Sequence, residues 1–152
     1  MKKTVSLVLA LSMIAVAVIG FGTAANAQTL SSTEKALTLI NTFATGDADM
    51  ARSLLAEDYI QHNLAYGTGA DAFVGSVEYL ASAEVKTTVN NIRAFEDGDK
   101  VFLQTVYNFA GAGEQVAFDI FRIDENGKIA EHWDVMETIA DEATWQNQNG
   151  KF

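Results

Sequence analysis

The chain is 152 residues long with a formal net charge of −10, and it contains neither cysteine nor proline. That length suits one compact domain with a real core, and so acidic a chain opposes nucleic acid and anionic membrane as partners. Without cysteine there is no disulfide, no thiol-linked lipid and no thiol nucleophile, so the fold must rest on its hydrophobic core.

The first residues read as a secretory signal peptide over 1–27. Lys2-Lys3 is a basic start, Thr4 to Phe21 is an almost unbroken apolar run, and Ala25-Asn26-Ala27 is a small-residue cleavage signature. The apolar run is just long enough to span a bilayer, but the cleavage signature and the lack of basic residues behind it favour export, to the periplasm or the medium. Cleavage after Ala27 removes 27 of the 152 residues and leaves 125 as a single domain, 28–152; with Lys2 and Lys3 gone the net charge falls from −10 to −12.

Ser31-x-x-Glu34 is a capping box opening a helix with Ala36, Leu37, Ile40, Phe43 and Ala44 at helical spacing and Gly46 as its stop. Asp47 or Asp49 can cap a second, short helix that buries Met50, Leu54 and Leu55. Tyr59-Ile60-Gln61-His62-Asn63 is a short extended piece, and the loop Tyr66-Gly67-Thr68-Gly69 leads to a third helix with the stripe Ala70, Phe73, Val74, Val77, Leu80 and Ala81. Strands follow near Val85 to Phe95 and Lys100 to Ala110, joined by Glu96-Asp97-Gly98-Asp99, and then from Glu114 to Ile123. The tail from Ala140 to Phe152 reads as a last short helix or a loose end. Helices first and a meander afterwards give an α+β domain, helices packed on one face of a curved sheet.

The last hairpin carries the chemistry. Asn126-Gly127 is a strong two-residue turn signal. Counting outward from it sets Arg122 opposite Glu131 and Asp119 opposite Asp134. Strand side chains alternate faces, so Asp119, Phe121, Ile123, Ala130, His132, Asp134 and Met136 share one face, while Phe118, Ile120, Arg122, Glu131, Trp133 and Val135 share the other. A three-residue loop would part Asp119 from His132 and Asp134; a four-residue loop would set Asp119 against His132. Two carboxylates close together in apolar surroundings raise at least one pKa, and a histidine between them can hold a shared proton. Such a cluster can remove and return a proton beside a carbonyl. The plainer alternative is a solvated face or a hydrogen-bond network tying two strands. Arg122 and Glu131 read as an ordinary cross-strand ion pair.

His62 is a second candidate, able to donate to a substrate oxygen with Tyr59 and Asn63 as further polar contacts; a surface histidine is the plain alternative. His62, His132, Asp119 and Asp134 include metal-ligand types, but no compact histidine spacing supports a metal. There is no G-x-S-x-G, and Gly67-x-Gly69 lacks the lysine and the preceding strand of a phosphate loop. Phe95, Phe102, Tyr107, Phe109, Phe118 and Trp133 read as core or pocket wall and favour an apolar or aromatic small-molecule ligand.

Tyr59-Ile60-Gln61-His62-Asn63 after two helices, Phe118-Asp119-Ile120-Phe121-Arg122, and Gly127-Lys128-Ile129-Ala130-Glu131-His132-Trp133-Asp134 together resemble the SnoaL-like proteins of the nuclear transport factor two-like superfamily. The resemblance spans about Thr33 to Thr138. It implies a cone-shaped α+β domain with N-terminal helices on a strongly curved antiparallel or mixed sheet, a pocket inside the cone, and a homodimer through the sheet. It also implies proton transfer by a pocket aspartate and histidine without metal or cofactor, as in the polyketide cyclases of that family. By motif, Asp119 or Asp134 takes the acid/base role and His132 and His62 support it, with Tyr59, Asn63, Phe121 and Trp133 around the substrate. Two departures stand out: Leu64 follows the His-Asn pair where the family usually has proline, and the chain is read as exported. The expectation is an exported cyclase, isomerase or dehydratase acting on a small hydrophobic carbonyl compound, or a non-catalytic module of the same fold that binds such a molecule.

Overall fold

The computed structural model describes residues 30–152. The signal-peptide reading of 1–27 lies outside the described residues. The first helix, α1 (Ser32–Thr45), begins on the capping box: Ser31 Oγ accepts from the Glu34 N–H at 3.2 Å, and the Ser31 N–H donates to Glu34 Oε2 at 2.8 Å. It ends at Gly46, whose φ of 73° is left-handed and where a Cβ would stand 2.7 Å from the Ala81 Cβ. Only glycine lets the chain turn there against the third helix. Asp47 Oδ1 accepts from the Met50 N–H at 2.9 Å and caps α2 (Ala48–Leu54). The next residue, Leu55, does not finish that helix as expected. It begins β1 (Leu55–Gln61), a longer strand than the short extended piece read from sequence. Helix α3 (Ala70–Ser82) buries Phe73, Val74 and Val77.

The other strands are β2 (Thr88–Asp97), β3 (Lys100–Asn108), β4 (Gln115–Ile123) and β5 (Ile129–Thr138). They form one sheet in the order β1-β5-β4-β3-β2. β1 runs parallel to β5 and the other pairs are antiparallel, so the sheet is mixed. Its register breaks within β1, in β2 after Asn91 and in β5 near the hairpin; such irregularities bend strands. The helices cover one face, and the core they share with the sheet includes Leu39, Leu54, Tyr59, Val77, Val101 and Phe121. Each such side chain contributes about 1.5–3 kcal/mol by leaving water. The tail makes a 3-10 turn at Glu142–Thr144, capped by Asp141, and returns so that the Lys151 carbonyl accepts from Gln104 at 3.2 Å. Among the described residues no helix is long and apolar enough to cross a membrane.

The hairpin turn differs from the two-residue turn expected from Asn126-Gly127. Asp124 N–H donates to the Lys128 carbonyl at 2.8 Å, so the loop holds three residues, Glu125, Asn126 and Gly127, rather than two. The Asp124 side chain accepts from the N–H groups of Asn126 and Lys128 at 2.9 and 2.8 Å, and Gly127 takes the left-handed φ of 74°. Ile123 then faces Ile129 instead of Ala130, but β5 inserts Ala130 as an unpaired residue before Glu131. The bulge cancels the offset. Arg122 still faces Glu131 and Asp119 still faces Asp134. Lys35 on α1 fixes the tip by donating from Nζ to the Gly127 carbonyl at 2.7 Å.

Candidate functional site

Between the helices and the inner sheet face lies a cavity of about 500 Å³, lined by Tyr59, Gln61, Tyr107, Asp119, Phe121, His132 and Asp134 among others. Neighbouring strands bring these side chains together. Asp119 on β4 is 3% exposed; its Oδ2 accepts from the Tyr107 hydroxyl at 2.9 Å, and its Oδ1 lies 3.2 Å from Nε2 of His132. Phe121 stacks flat on the His132 ring, 4.4 Å between centroids at 9°. Asp119, His132 and Asp134 each offer an atom within 4.8 Å of the other two.

Two residues on the β1 side orient this cluster. Gln61 Nε2 lies 3.0 Å from His132 Nδ1, while Gln61 Oε1 accepts from the Asn63 N–H at 2.9 Å. That backbone donor fixes which end of the amide is oxygen, so the NH2 group is the one facing the ring. Nδ1 therefore accepts, and Nε2 carries the proton given to Asp119. Asn63 is pinned in the same way: its Oδ1 accepts from the Ala65 N–H at 2.9 Å, and its Nδ2 donates to Asp134 Oδ1 at 2.6 Å.

The electrostatics separate the two aspartates. Burial raises the Asp134 carboxyl above its ordinary range, and the nearby Asp119 charge adds to the rise; His132 and the Asn63 hydrogen bond pull the other way. Burial, then the charges of Asp134 and Asp119, pushes the Tyr59 phenol upward. Burial and Asp119 do the same to Tyr107. Both phenols thus stay protonated donors at neutral pH. Tyr107 spends its proton on Asp119. The Tyr59 oxygen accepts from Gln61 at 3.3 Å, leaving its own O–H without an acceptor among the described residues.

Asp119, His132, Asp134, Tyr59 and Phe121 thus converge on the cavity, and Asn63 touches it through Asp134. His62 and Trp133 do not join them. Gln61, the last residue of β1, turns inward, and His62, one residue beyond it, turns outward, where it stacks on Trp133 at 4.5 Å and 7°. His62 Nε2 lies 3.0 Å from Glu131, which also accepts from Arg122 Nε at 2.6 Å; these bonds, His62 first, hold the Glu131 carboxyl below its ordinary range. So the Arg122–Glu131 pair is present, with His62 as a third member. Of the aromatic residues read as core or wall, Tyr107 and Phe109 line the cavity, while Phe95, Phe102 and Phe118 are exposed on the other sheet face. Gln61 went unrecognised in the sequence, although it stands two residues from Tyr59 and so shares its face.

The cluster also opposes a metal. A ring that gave Nε2 to a cation would carry its proton on Nδ1, against the Gln61 NH2 group. Flipping Gln61 would set that group against the Asn63 N–H instead. In this arrangement Nε2 carries a proton toward Asp119, and a cation there would require Gln61 to turn over.

Helices on one face of a bent mixed sheet, with an acid–imidazole cluster in an aromatic cavity between them, define a small α+β pocket protein. Residues 36–132 match the model of the SnoaL-like domain, and the chain belongs to that family. Its fold is similar to that of an NTF2-like protein of unknown function from Cytophaga hutchinsonii, at a TM-score of 0.61 and 17% identity over 71% of this chain and 91% of that one. An LEH-like epoxide hydrolase of M. tuberculosis gives 0.61 and 16% over 70% and 82%. IdmH of Streptomyces antibioticus, described as a candidate polyketide cyclase, gives 0.57 and 19% over 71% and 93%. At these identities the likeness is one of fold. No curated protein matches the sequence.

Proposed function

We propose that the protein performs cofactor-free acid/base chemistry on a small hydrophobic carbonyl compound, with Asp134 as the group that moves the proton. The observation that carries this is the division of labour between the carboxylates. Both oxygens of buried Asp119 are taken up by Tyr107 and His132. Asp134 is less buried, has a raised pKa and faces the cavity. A base that abstracts a proton beside a carbonyl works best when its pKa lies near the working pH, and a raised carboxyl moves that way. Asp134 takes the α proton, the electron pair passes to the carbonyl oxygen, and the free Tyr59 O–H donates to that oxygen. The same proton is returned to another carbon in an isomerisation, or to the product oxygen after an aldol closure. Asp119 and His132 hold the geometry. The similarity to IdmH supports the carbonyl class.

The test is hydrogen–deuterium exchange at the α carbon of α-tetralone in D2O, followed by proton NMR. Wild type should exchange it well above the buffer rate, and Asp134→Asn should lose most of that gain. Bound ketone with no acceleration sinks the proposal. A second reading, a binding module without turnover, draws on one observation: every buried side-chain polar atom among the described residues already has a partner. It predicts a raised melting temperature with ligand and no exchange.

The N-terminal pattern supports export to the periplasm or medium. The apolar face carrying Phe95, Phe102, Phe118 and Val135, all exposed, supports a homodimer through the sheet.

A further inference from the structure

Among the described residues the cavity is lined by two carboxylates and by neither lysine nor arginine, with the His132 imidazole as the basic group beside them. Asp119 has a phenol and an imidazole for partners, and Asp134 has an amide. Lys35 is committed to the Gly127 carbonyl and Arg122 to Glu131. Negative charge shielded from water is costly when no positive charge faces it.

An unbroken arc of aromatic rings runs through the rest of the wall, beside aliphatic residues such as Ile40, Leu80 and Met136. Tyr107 stacks on Phe109 at 5.0 Å, Phe109 meets Phe43 edge-on at 5.6 Å, Phe43 lies 4.9 Å from Phe73, and Phe73 meets Tyr59 edge-on at 6.0 Å. The arc starts at the tyrosine bonded to Asp119 and ends at the tyrosine whose phenol feels both aspartates. Ring faces attract cations, and most strongly where water is excluded. An apolar molecule alone would satisfy the rings and leave the charges unanswered.

We infer that the cavity takes a hydrophobic molecule bearing a tertiary or quaternary ammonium, its charge set against Asp119 and Asp134 and its alkyl groups against the aromatic arc. This rests on reading the cavity as a ligand site, and it narrows the substrate class to amine-bearing carbonyl compounds. Asp119, with each oxygen already engaged, supplies a counter-charge, which leaves Asp134 to exchange its proton. The net charge of the whole chain, −10, steers such cations toward the protein.

The probes are benzyltrimethylammonium and its neutral carbon isostere neopentylbenzene, titrated at equal free concentrations and followed by NMR chemical shifts of cavity residues. The ammonium should bind at least about tenfold more tightly. Asp134→Asn should cut that preference several-fold, and Asp119→Asn should do the same where its melting curve shows it folded. Equal or tighter binding of the isostere overturns the inference, as does binding of neither probe or a preference unchanged in Asp134→Asn. Exchange of α-tetralone without ammonium preference overturns this inference alone. Ammonium preference without exchange overturns the proton-transfer reading alone.

Discussion

Gln61 decides which nitrogen of His132 carries the proton. Its NH2 group, oriented by the Asn63 N–H, meets Nδ1 at 3.0 Å and leaves Nε2 to donate to Asp119. Gln61→Glu keeps the shape and replaces that donor with an acceptor. The ring should then carry a proton on Nδ1, and nitrogen-15 NMR of His132 should show the change of tautomer or a doubly protonated ring. α-Tetralone exchange should fall on the order of tenfold, less than on loss of the acid/base group itself. An unchanged imidazole spectrum would refute the assignment whatever the activity. Gln61→Leu should instead cost about 1–3 kcal/mol of stability by leaving Nδ1 unpaired.

Much of this cluster was legible because strand alternation and register are local rules. Asp119, His132 and Asp134 fell on one face by counting from the turn. The count was right through a cancellation: a three-residue loop and a bulge at Ala130 offset each other, which no period-2 rule can anticipate. Read as a short extended piece, Tyr59 to Asn63 leaves open which of Gln61 and His62 faces the interior. Once Leu55 starts that strand beside β5, alternation turns Gln61 inward and His62 outward. Phe95, Phe102 and Phe118 were harder still, since an apolar strand residue reads the same on either face of a sheet.

The outward turn of His62 separates it from Tyr59. His62→Gln should leave α-tetralone exchange within about twofold and cost no more than about 1 kcal/mol, the scale of a partly exposed ion pair. Tyr59→Phe should lower exchange by about 10²–10³ through loss of the donor to the carbonyl oxygen. The reverse ranking would return His62 to the substrate and remove Tyr59 from the proposed mechanism.

The outer face offers a separate expectation. Phe118 is 56% exposed and Val135 73% exposed on that face. If a second copy covers them, Phe118→Glu should convert a dimer to a monomer in light scattering while the far-ultraviolet spectrum stays the same. A wild-type monomer at high micromolar concentration would dismiss the sheet-mediated dimer.

Asp134 should link activity and stability in opposite senses. Its carboxyl is raised above the ordinary 3.8 by burial and by Asp119. A raised folded-state pKa means that the fold binds the proton more tightly than the unfolded chain does. Its contribution is therefore fully present below 3.8 and is lost as pH rises through the raised value. Above that window the ionised group is strained by burial, so Asp134→Asn should unfold at a higher temperature than wild type at neutral pH. That advantage should shrink to nothing as pH drops through the window. Activity runs the other way, because only the ionised form takes a proton. The acid limb of the exchange rate should have its midpoint above 3.8, and Asp134→Asn should lose the limb along with about 10²–10⁴ in rate. Parallel pH series of melting temperature and α-tetralone exchange test both halves. An acid limb that survives unshifted in Asp134→Asn would assign the proton to another group.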